Sequence, residues 1–466
     1  MNSEIRKGIT NILFANVINM CFSLVTSFVL PKFLSVESYA IIKTFQLYTA
    51  YAGIFSLGFI DGMYLKYGGI DIDRISKDDV RNNSGTWRLF QVIVVVLLIF
   101  FALILHDRII LAFAMAVFPL NMINYFRSLC QAIGAFKQYG RIINLSTILT
   151  FIANIFLLFV IGIDNGYYFL GSYIFIDVLI FLLVEIYFKK STGINSFCLR
   201  WDNTELIRCI KDGFLLMCGY FTSVVMTSMD RWFVKVLLMT ADFAQYSFAV
   251  TMENFLNVAV TPVSVTLYNQ FCKDSSVAIV TRTRRYVQIL AIAIIAAAFP
   301  AKFIVEIVLD KYIGSVNVLF LLFSSQIFYI INKSIYVNLY RVKRKQSQYF
   351  RKLVIDLFLG AAFNYIFFIV ARVKEAFAWG TVLAAFLWFV MCSIDFKEYK
   401  YELKDILFLT IQFTFFLVCG MLLNTIIGAM MYVAVTVIDI KLMFNAEYGR
   451  IINEFKKYIR KLSIKR

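Results

Sequence analysis

Apolar residues in this chain gather into runs of about 20, separated by short clusters of charge. At ~1.5 Å per residue such a run crosses a ~30 Å hydrocarbon layer as a helix. A helix also pairs its own backbone N–H and C=O groups where no water can reach them. Fourteen runs qualify: Ile9–Leu30, Tyr39–Met63, Phe90–Leu105, Ile109–Ala132, Leu145–Ile163, Tyr167–Tyr187, Gly213–Leu238, Phe243–Phe271, Tyr286–Val308, Val316–Tyr340, Leu353–Val370, Ala376–Met391, Ile406–Leu423 and Thr425–Ile440. The pattern predicts an all-α polytopic membrane protein with about 14 transmembrane helices (12 to 14), the last two joined by little more than Asn424. The longest connections, Tyr64–Leu89 and Phe188–Asp212, read as loops of about 25 residues. They leave no room for a soluble catalytic domain, so the expected protein is not an enzyme.

Composition agrees. Apolar residues make up 61% and charged residues 16%, where a soluble chain carries roughly 25% charged. Of the 46 Lys and Arg, 36 fall on one side of the alternating spans. The opposite loops are assigned six, Lys32, Arg108, Lys302, Lys311, Arg372 and Lys374, with Lys302 counted to the outer side and Arg127 to the inner side although each lies within a run; four more are kept as span charges, Lys43, Arg231, Lys235 and Lys333. By the positive-inside rule both termini are cytoplasmic. The net charge of +17 then needs no nucleic-acid partner, because it faces anionic phospholipids. In the tail, residues 441–466, Ile451, Ile452, Phe455, Ile459 and Leu462 share a helical face among Arg450, Lys456, Lys457, Arg460 and Lys461, the pattern of an interfacial helix. The eight cysteines form no CxxC pair and read as small core hydrophobes. His106, beside Asp107 and Arg108, reads as a surface loop residue. No metal or cofactor is expected.

The halves echo each other at an offset of about 205 residues. Ser35, Glu37 and Tyr39 follow the first span as Thr240, Asp242 and Tyr246 follow the seventh. Helix capping alone accounts for such a match as well as a repeat does. Read as a repeat, six intervening spans make the halves parallel, pseudo-symmetric about the membrane normal. The expected divisions are an N-lobe over 1–190, a C-lobe over 191–400, an extra helix pair over 401–440 and the tail.

The stretch LPKFLSVESYAIIKTFQLYTAYAGIFSLGFIDGMYLKYGG, Leu30–Gly69, resembles the second-helix region of the Wzx-type polysaccharide flippases of the multidrug, oligosaccharidyl-lipid and polysaccharide (MOP) exporter superfamily. The P-x-x-L-[ST]-x-E-x-Y hairpin and the LGF before Asp61 and Gly62 carry the likeness; Ala40 stands where that family often has Gly. The resemblance implies two lobes rocking around a central cavity. It implies a cargo of undecaprenyl-diphosphate-linked oligosaccharide, flipped from inner to outer leaflet of the bacterial cytoplasmic membrane for O-antigen, capsule or exopolysaccharide. The polysaccharide polymerase machinery is a further implied partner.

A charge near the bilayer centre costs about 2.5–3.5 kcal/mol on insertion scales, so each one needs a partner or water. In SMDRWFVK, Ser228–Lys235, Arg231 and Lys235 project from one helix face. They suit a diphosphate, although Lys235 can also snorkel outward and Arg231 can pair with a carboxylate. Asp230 turns about 100° away, toward another span. Glu253 lies ~15 Å deep, as either an ion-pair partner of Arg231 or a protonation site. Lys43, one turn inside the second span, Arg127 in the fourth and Lys333 in the tenth complete the basic candidates, with an inner anchor as the bland reading of Lys333. Asp61 and Asp177 complete the acidic, ion-coupling candidates, while Glu185 and Asp356 read as inner-end residues, Glu185 solvated. Bases outnumber deep acids, which suits an anionic cargo and disfavours the alternative of a multidrug cation antiporter. Pro262, in a run about 29 residues long, is a candidate bend.

Overall fold

A computed structural model describes residues 19–70, 75–192 and 197–453. They gather into two compact units, Met1–Ser228 and Met229–Arg466. The first holds α1 (19–33), α2 (Val36–Thr49), a 3-10 turn (Ala52–Ser56), α3 (Phe59–Tyr67), α4 (Lys77–Leu105), α5 (Arg108–Ala132), α6 (Phe136–Ile155, continued by a π turn to Ile161), α7 (Gly166–Thr192) and most of α8 (Asn203–Leu237). The second holds α9 (Thr240–Asn254), α10 (Leu256–Lys273), α11 (Val277–Ile295), α12 (Ala298–Val308), α13 (Val316–Ile331), a π turn (Asn332–Tyr336), α14 (Val337–Val342), α15 (Gln346–Ala371), α16 (Lys374–Asp395), α17 (Leu403–Met421) and α18 (Thr425–Met443). No strand occurs among the described residues.

Twelve described helices are long and apolar enough to cross a membrane, and they match the third to fourteenth predicted spans in order. Part of the first span, 9–18, lies outside the described residues, as do 454–466 of the tail with its Phe455, Ile459 and Leu462. The second span is broken by the 3-10 turn at Ala52–Ser56.

Each unit is built around one nearly enclosed helix. In the first it is α5, flanked by α2, α3, α4, α6 and α7; in the second it is α13, flanked by α9, α11, α16 and α17. These are the fourth and tenth spans, the same place in each run of six. Both bury residues around most of their circumference, mainly apolar ones but with Asn121 on α5 and Gln326 on α13 among them. On α13, Ser324 and Ser325 return their hydroxyls to the carbonyls of Leu321 and Leu322 at 2.7 Å, so neither hydroxyl is stranded.

Three expectations are corrected. The stretches 77–89 and 203–212, taken for loop, are the first turns of α4 and α8. Their charges mislead because partners remove them from lipid and water alike: Trp87 stacks on Phe59 at 5.0 Å, and buried Arg88 binds Glu185 of α7. For the same reason Glu185 is not solvated. Lys302, assigned to a loop, is buried in α12 and donates to the carbonyls of Gly420 (2.8 Å) and Leu423 (2.9 Å). It thereby satisfies the unpaired end of α17, while the Asn424 side chain accepts from Ile426 N–H at 3.2 Å and starts α18. These two contacts make the near-absent connection between the last two spans workable.

Capping also separates the two halves of the apparent repeat. Ser35 caps α2 through its hydroxyl, which accepts from Ser38 N–H at 3.3 Å. In the second unit Met239 holds the cap position of α9, and Thr240 begins the helix.

Candidate functional site

Among the described residues three spans are interrupted, the second, the eighth and, at Ala296–Ala297 between α11 and α12, the ninth; the second and the eighth correspond in the six-span order. Discontinuous helices in matching positions of two halves mark binding sites in transporters, because the break frees backbone groups and lets charge enter the membrane. In the first unit the break runs from Ala50 to Gly58, with left-handed backbone at Leu57 (φ 47°) and Gly58 (φ 89°). In the second it is a milder, one-residue irregularity at Phe255 between α9 and α10, where the backbone stays right-handed (φ −64°, ψ −25°). Pro262 sits on α10 one turn beyond Val258, whose carbonyl it cannot bond; α10 itself continues through the proline to Lys273.

The breaks are furnished differently. In the first unit neutral amides serve it: Asn121 donates to the Ala52 carbonyl (3.2 Å) and to Gln91 Oε1 (2.8 Å), and Gln91 donates to the Phe55 carbonyl (3.0 Å). In the second unit the break is set among charges. Glu253 ends α9 and accepts from the amide of Gln326 on α13. Lys333, on the π turn of the tenth span, donates to Asn257 Oδ1 at the start of α10 (2.8 Å). Buried Asp230 accepts from the Tyr246 hydroxyl of α9 (2.8 Å) and from Arg231 N–H (2.7 Å). Asp230, Arg231 and Lys333 all lie within Coulombic range of Glu253. Two acids and two bases from α8, α9 and the π turn thus converge on one helix break.

Lys235 is half-buried one turn beyond Arg231, its ammonium 5.4 Å from the Trp232 ring centre. The remaining candidates belong to the first unit. Lys43 of α2 donates to Gln46 Oε1 (3.0 Å) and lies over the Tyr39 ring. Arg127 of α5 lies over Tyr139 (5.7 Å), and half-buried Asp61 and Asp177 sit on α3 and α7.

The first unit also contains a polar knot with no counterpart among the predicted site residues. Glu205 of α8 accepts from Lys66 (2.6 Å) and from Asn83 of α4 (2.6 Å); Asn83 in turn accepts from the Tyr125 hydroxyl (2.8 Å). Lys66 also reaches Asp79 (2.8 Å), which accepts from Tyr67 (3.0 Å). Four helices, α3, α4, α5 and α8, meet here.

No protein-family model matches the chain, nor does any curated protein. Solved structures do. A structure titled as the lipid II flippase MurJ in an inward closed conformation superposes with a TM-score of 0.65 at 13% identity, over 94% of this chain and 99% of the other. An inward-facing multidrug resistance MATE family transporter of the MOP superfamily superposes at 0.55 and 12% identity, over 82% of this chain and 94% of the other. The chain shares the fold of these two structures.

Within that fold, sequence reasoning missed the charged Lys66, Asp79 and Glu205 of the polar knot and a set of uncharged residues: Tyr246, Asn257 and Gln326 around the break, and Asn83, Gln91 and Asn121 in the first unit. Their signal was available. An amide inside an apolar run costs desolvation unless a partner awaits it, so amides deserved the scrutiny given to the charges.

Proposed function

We propose that the protein is a flippase that carries an undecaprenyl-diphosphate-linked oligosaccharide repeat unit from the inner to the outer leaflet of the bacterial cytoplasmic membrane by alternating access, with both termini cytoplasmic. Two six-span lobes, 1–190 and 191–400, rock against each other, and the pair over 401–440 accompanies the second. Arg231, Lys235 and Lys43 hold the diphosphate, with Arg127 and Lys333 as further bases. Asp230 and Glu253 are the coupling acids, with Asp61 and Asp177 as outlying ones. The observation that carries the reading is the pairing of Arg231 and Lys333 with a broken eighth span, in a fold shared over 94% of the chain with a structure named as a lipid II flippase. A guanidinium grips phosphate oxygens bidentately, and the break supplies the polar surroundings that charges in a membrane require.

A multidrug cation antiporter is the second reading, favoured by the acids Asp230 and Glu253 at the same break and by the MATE fold match. One experiment separates them. Arg231→Ala, expressed at the wild-type level in a strain lacking the chromosomal gene, abolishes surface polysaccharide and accumulates the lipid-linked repeat unit. Unchanged glycan output together with drug sensitivity would establish the antiporter instead.

A further inference from the structure

The second unit contains a cavity of about 720 Å³ that the transport site does not use. It lies between α16 and α17, both of which pack on α13, and Phe328 of α13 forms its floor. The α16 wall runs from Trp379 through Phe386 to Ile394, at the three- and four-residue spacing of one helix face; Leu409 and Phe413 of α17 face it. Trp379 and Phe386 are about two-fifths exposed and Ile394 about half, so the cavity is an open groove on a surface that meets lipid.

Chemistry changes at one end. Where α16 finishes, the short turn Lys397–Tyr399 and the residue after it bring Lys397 and Lys400 to the groove's lip. Both side chains are exposed, and no ion pair to either occurs among the described residues. Their acidic neighbours are already engaged. Glu398 accepts from Lys343 at 2.6 Å, Glu402 is shared between Arg285 and Lys404, and buried Asp405 takes Arg284 and Arg285. The same pairings hold Glu398 and Glu402 below the usual carboxylate range, through Lys343 and Lys404 respectively.

Length fits the charge. Trp379 and Ile394 are fifteen residues apart, or ~22 Å of helix. Half of a bilayer including its headgroup layer is about 20–22 Å. The groove therefore accommodates one lipid of one leaflet, acyl chain along α16 and headgroup at the lysines. Two unneutralised ammonium groups at the headgroup level select a net anionic phosphate over a zwitterion.

We propose that this groove is a specific site for an anionic phospholipid, its phosphate held by Lys397 and Lys400. The inference requires only the membrane placement of α16 and α17, not the identity of the transported cargo. Native mass spectrometry of the detergent-purified full chain, titrated with phosphatidylglycerol or phosphatidylcholine of identical chains, tests it. Wild type is expected to retain phosphatidylglycerol preferentially. Lys397→Gln with Lys400→Gln, both exposed and without folding partners, is expected to lose about 30-fold of that preference, the weight of two lysines near an anionic surface. Val390→Trp, which fills the groove without touching the lysines, is expected to release both lipids. Preference unchanged in the double variant overturns the proposal, as does undiminished binding in Val390→Trp. Displacement of phosphatidylglycerol by undecaprenyl phosphate at equimolar concentration also overturns it, because the occupant is then the carrier lipid.

Discussion

The crossing of α3 and α8 in the first unit makes a quantitative prediction with a control on the same helix. Gly58, which caps α3, and Gly62 on it have GxxxG spacing, and Gly213 of α8 packs between them. This is the small-residue arrangement that lets membrane helices touch backbone to backbone. A Cβ added at Gly213 falls 2.0 Å from the Gly58 carbonyl oxygen and 2.3 Å from the Gly62 nitrogen. One added at Gly62 falls 2.0 Å from the Cys209 carbonyl. Ordinary contact is about 3.5 Å, so Gly213→Ala must separate two backbones by more than 1 Å, and neither has a flexible end that yields. Overpacking of this kind costs roughly 1–3 kcal/mol. Six residues along α8, Gly219 has nothing within 4 Å of its Cβ position. Gly219→Ala therefore meets no steric cost and gains up to about 1 kcal/mol from helix propensity. Thermal unfolding of the purified variants in one detergent should place Gly213→Ala below wild type and Gly219→Ala at or above it, at about 2–4 °C per kcal/mol for a unit of this size. Equal melting temperatures for the two variants would refute the close-crossing argument.

Three further outcomes follow from particular contacts. Arg284 and Asp405, 1% and 0% exposed and 3.0 Å apart, sit in a buried cluster where Asp405 also takes Arg285 and Arg284 also donates to the Tyr399 and Lys400 carbonyls, so Asp405→Ala should cost about 3–5 kcal/mol by stranding guanidinium groups, and the double change Arg284→Met, Asp405→Leu should recover only part of it in the same unfolding assay. Gln326→Leu removes the amide that donates to Glu253 and should destabilise by about 1–3 kcal/mol, the cost of leaving a buried carboxyl oxygen without its donor; an unchanged melting temperature would count against that bond. Asp202, just before α8, is held below the usual carboxylate range chiefly by the backbone N–H of Glu205 and then by Asn82. Its lowered folded value means that its stabilisation is complete above the ordinary value of 3.8 and lost as pH falls below it. Asp202→Asn keeps a capping oxygen but cannot titrate, so its stability should vary less than that of wild type between about pH 5 and pH 3.

The membrane spans were legible because lipid imposes a length and an apolar composition on every segment that crosses it, and both are one-dimensional properties. The bend region of the eighth span was flagged by Pro262, yet the break formed one to two turns earlier, at Phe255. A proline removes a bond to the preceding turn, and packing chooses where that slack is taken up. The GxxxG of α3 was present as a pattern, but its partner glycine lies about 150 residues away, and nothing local points to it. Charge placement was the least legible. Arg88 and Glu185 are 97 residues apart, Asn83 and Glu205 122, and Lys333 and Asn257 76. Which of them meet depends on helix rotation, and helices buried on most sides, as α5 and α13 are, carry no single amphipathic stripe from which to read it.

Sequence alone therefore determined that the chain carries many helices long and apolar enough to cross a membrane, twelve of them among the described residues, and which residues are expensive to place there. It determined this because hydrophobic thickness and backbone hydrogen bonding act on each segment separately. Only the tertiary structure decided that Asp230, Arg231, Glu253 and Lys333 share one helix break, that Glu185 and Lys302 are buried rather than solvated, and that amides serve the matching break in the first unit. Those outcomes rest on distances between segments that no local property of the chain encodes.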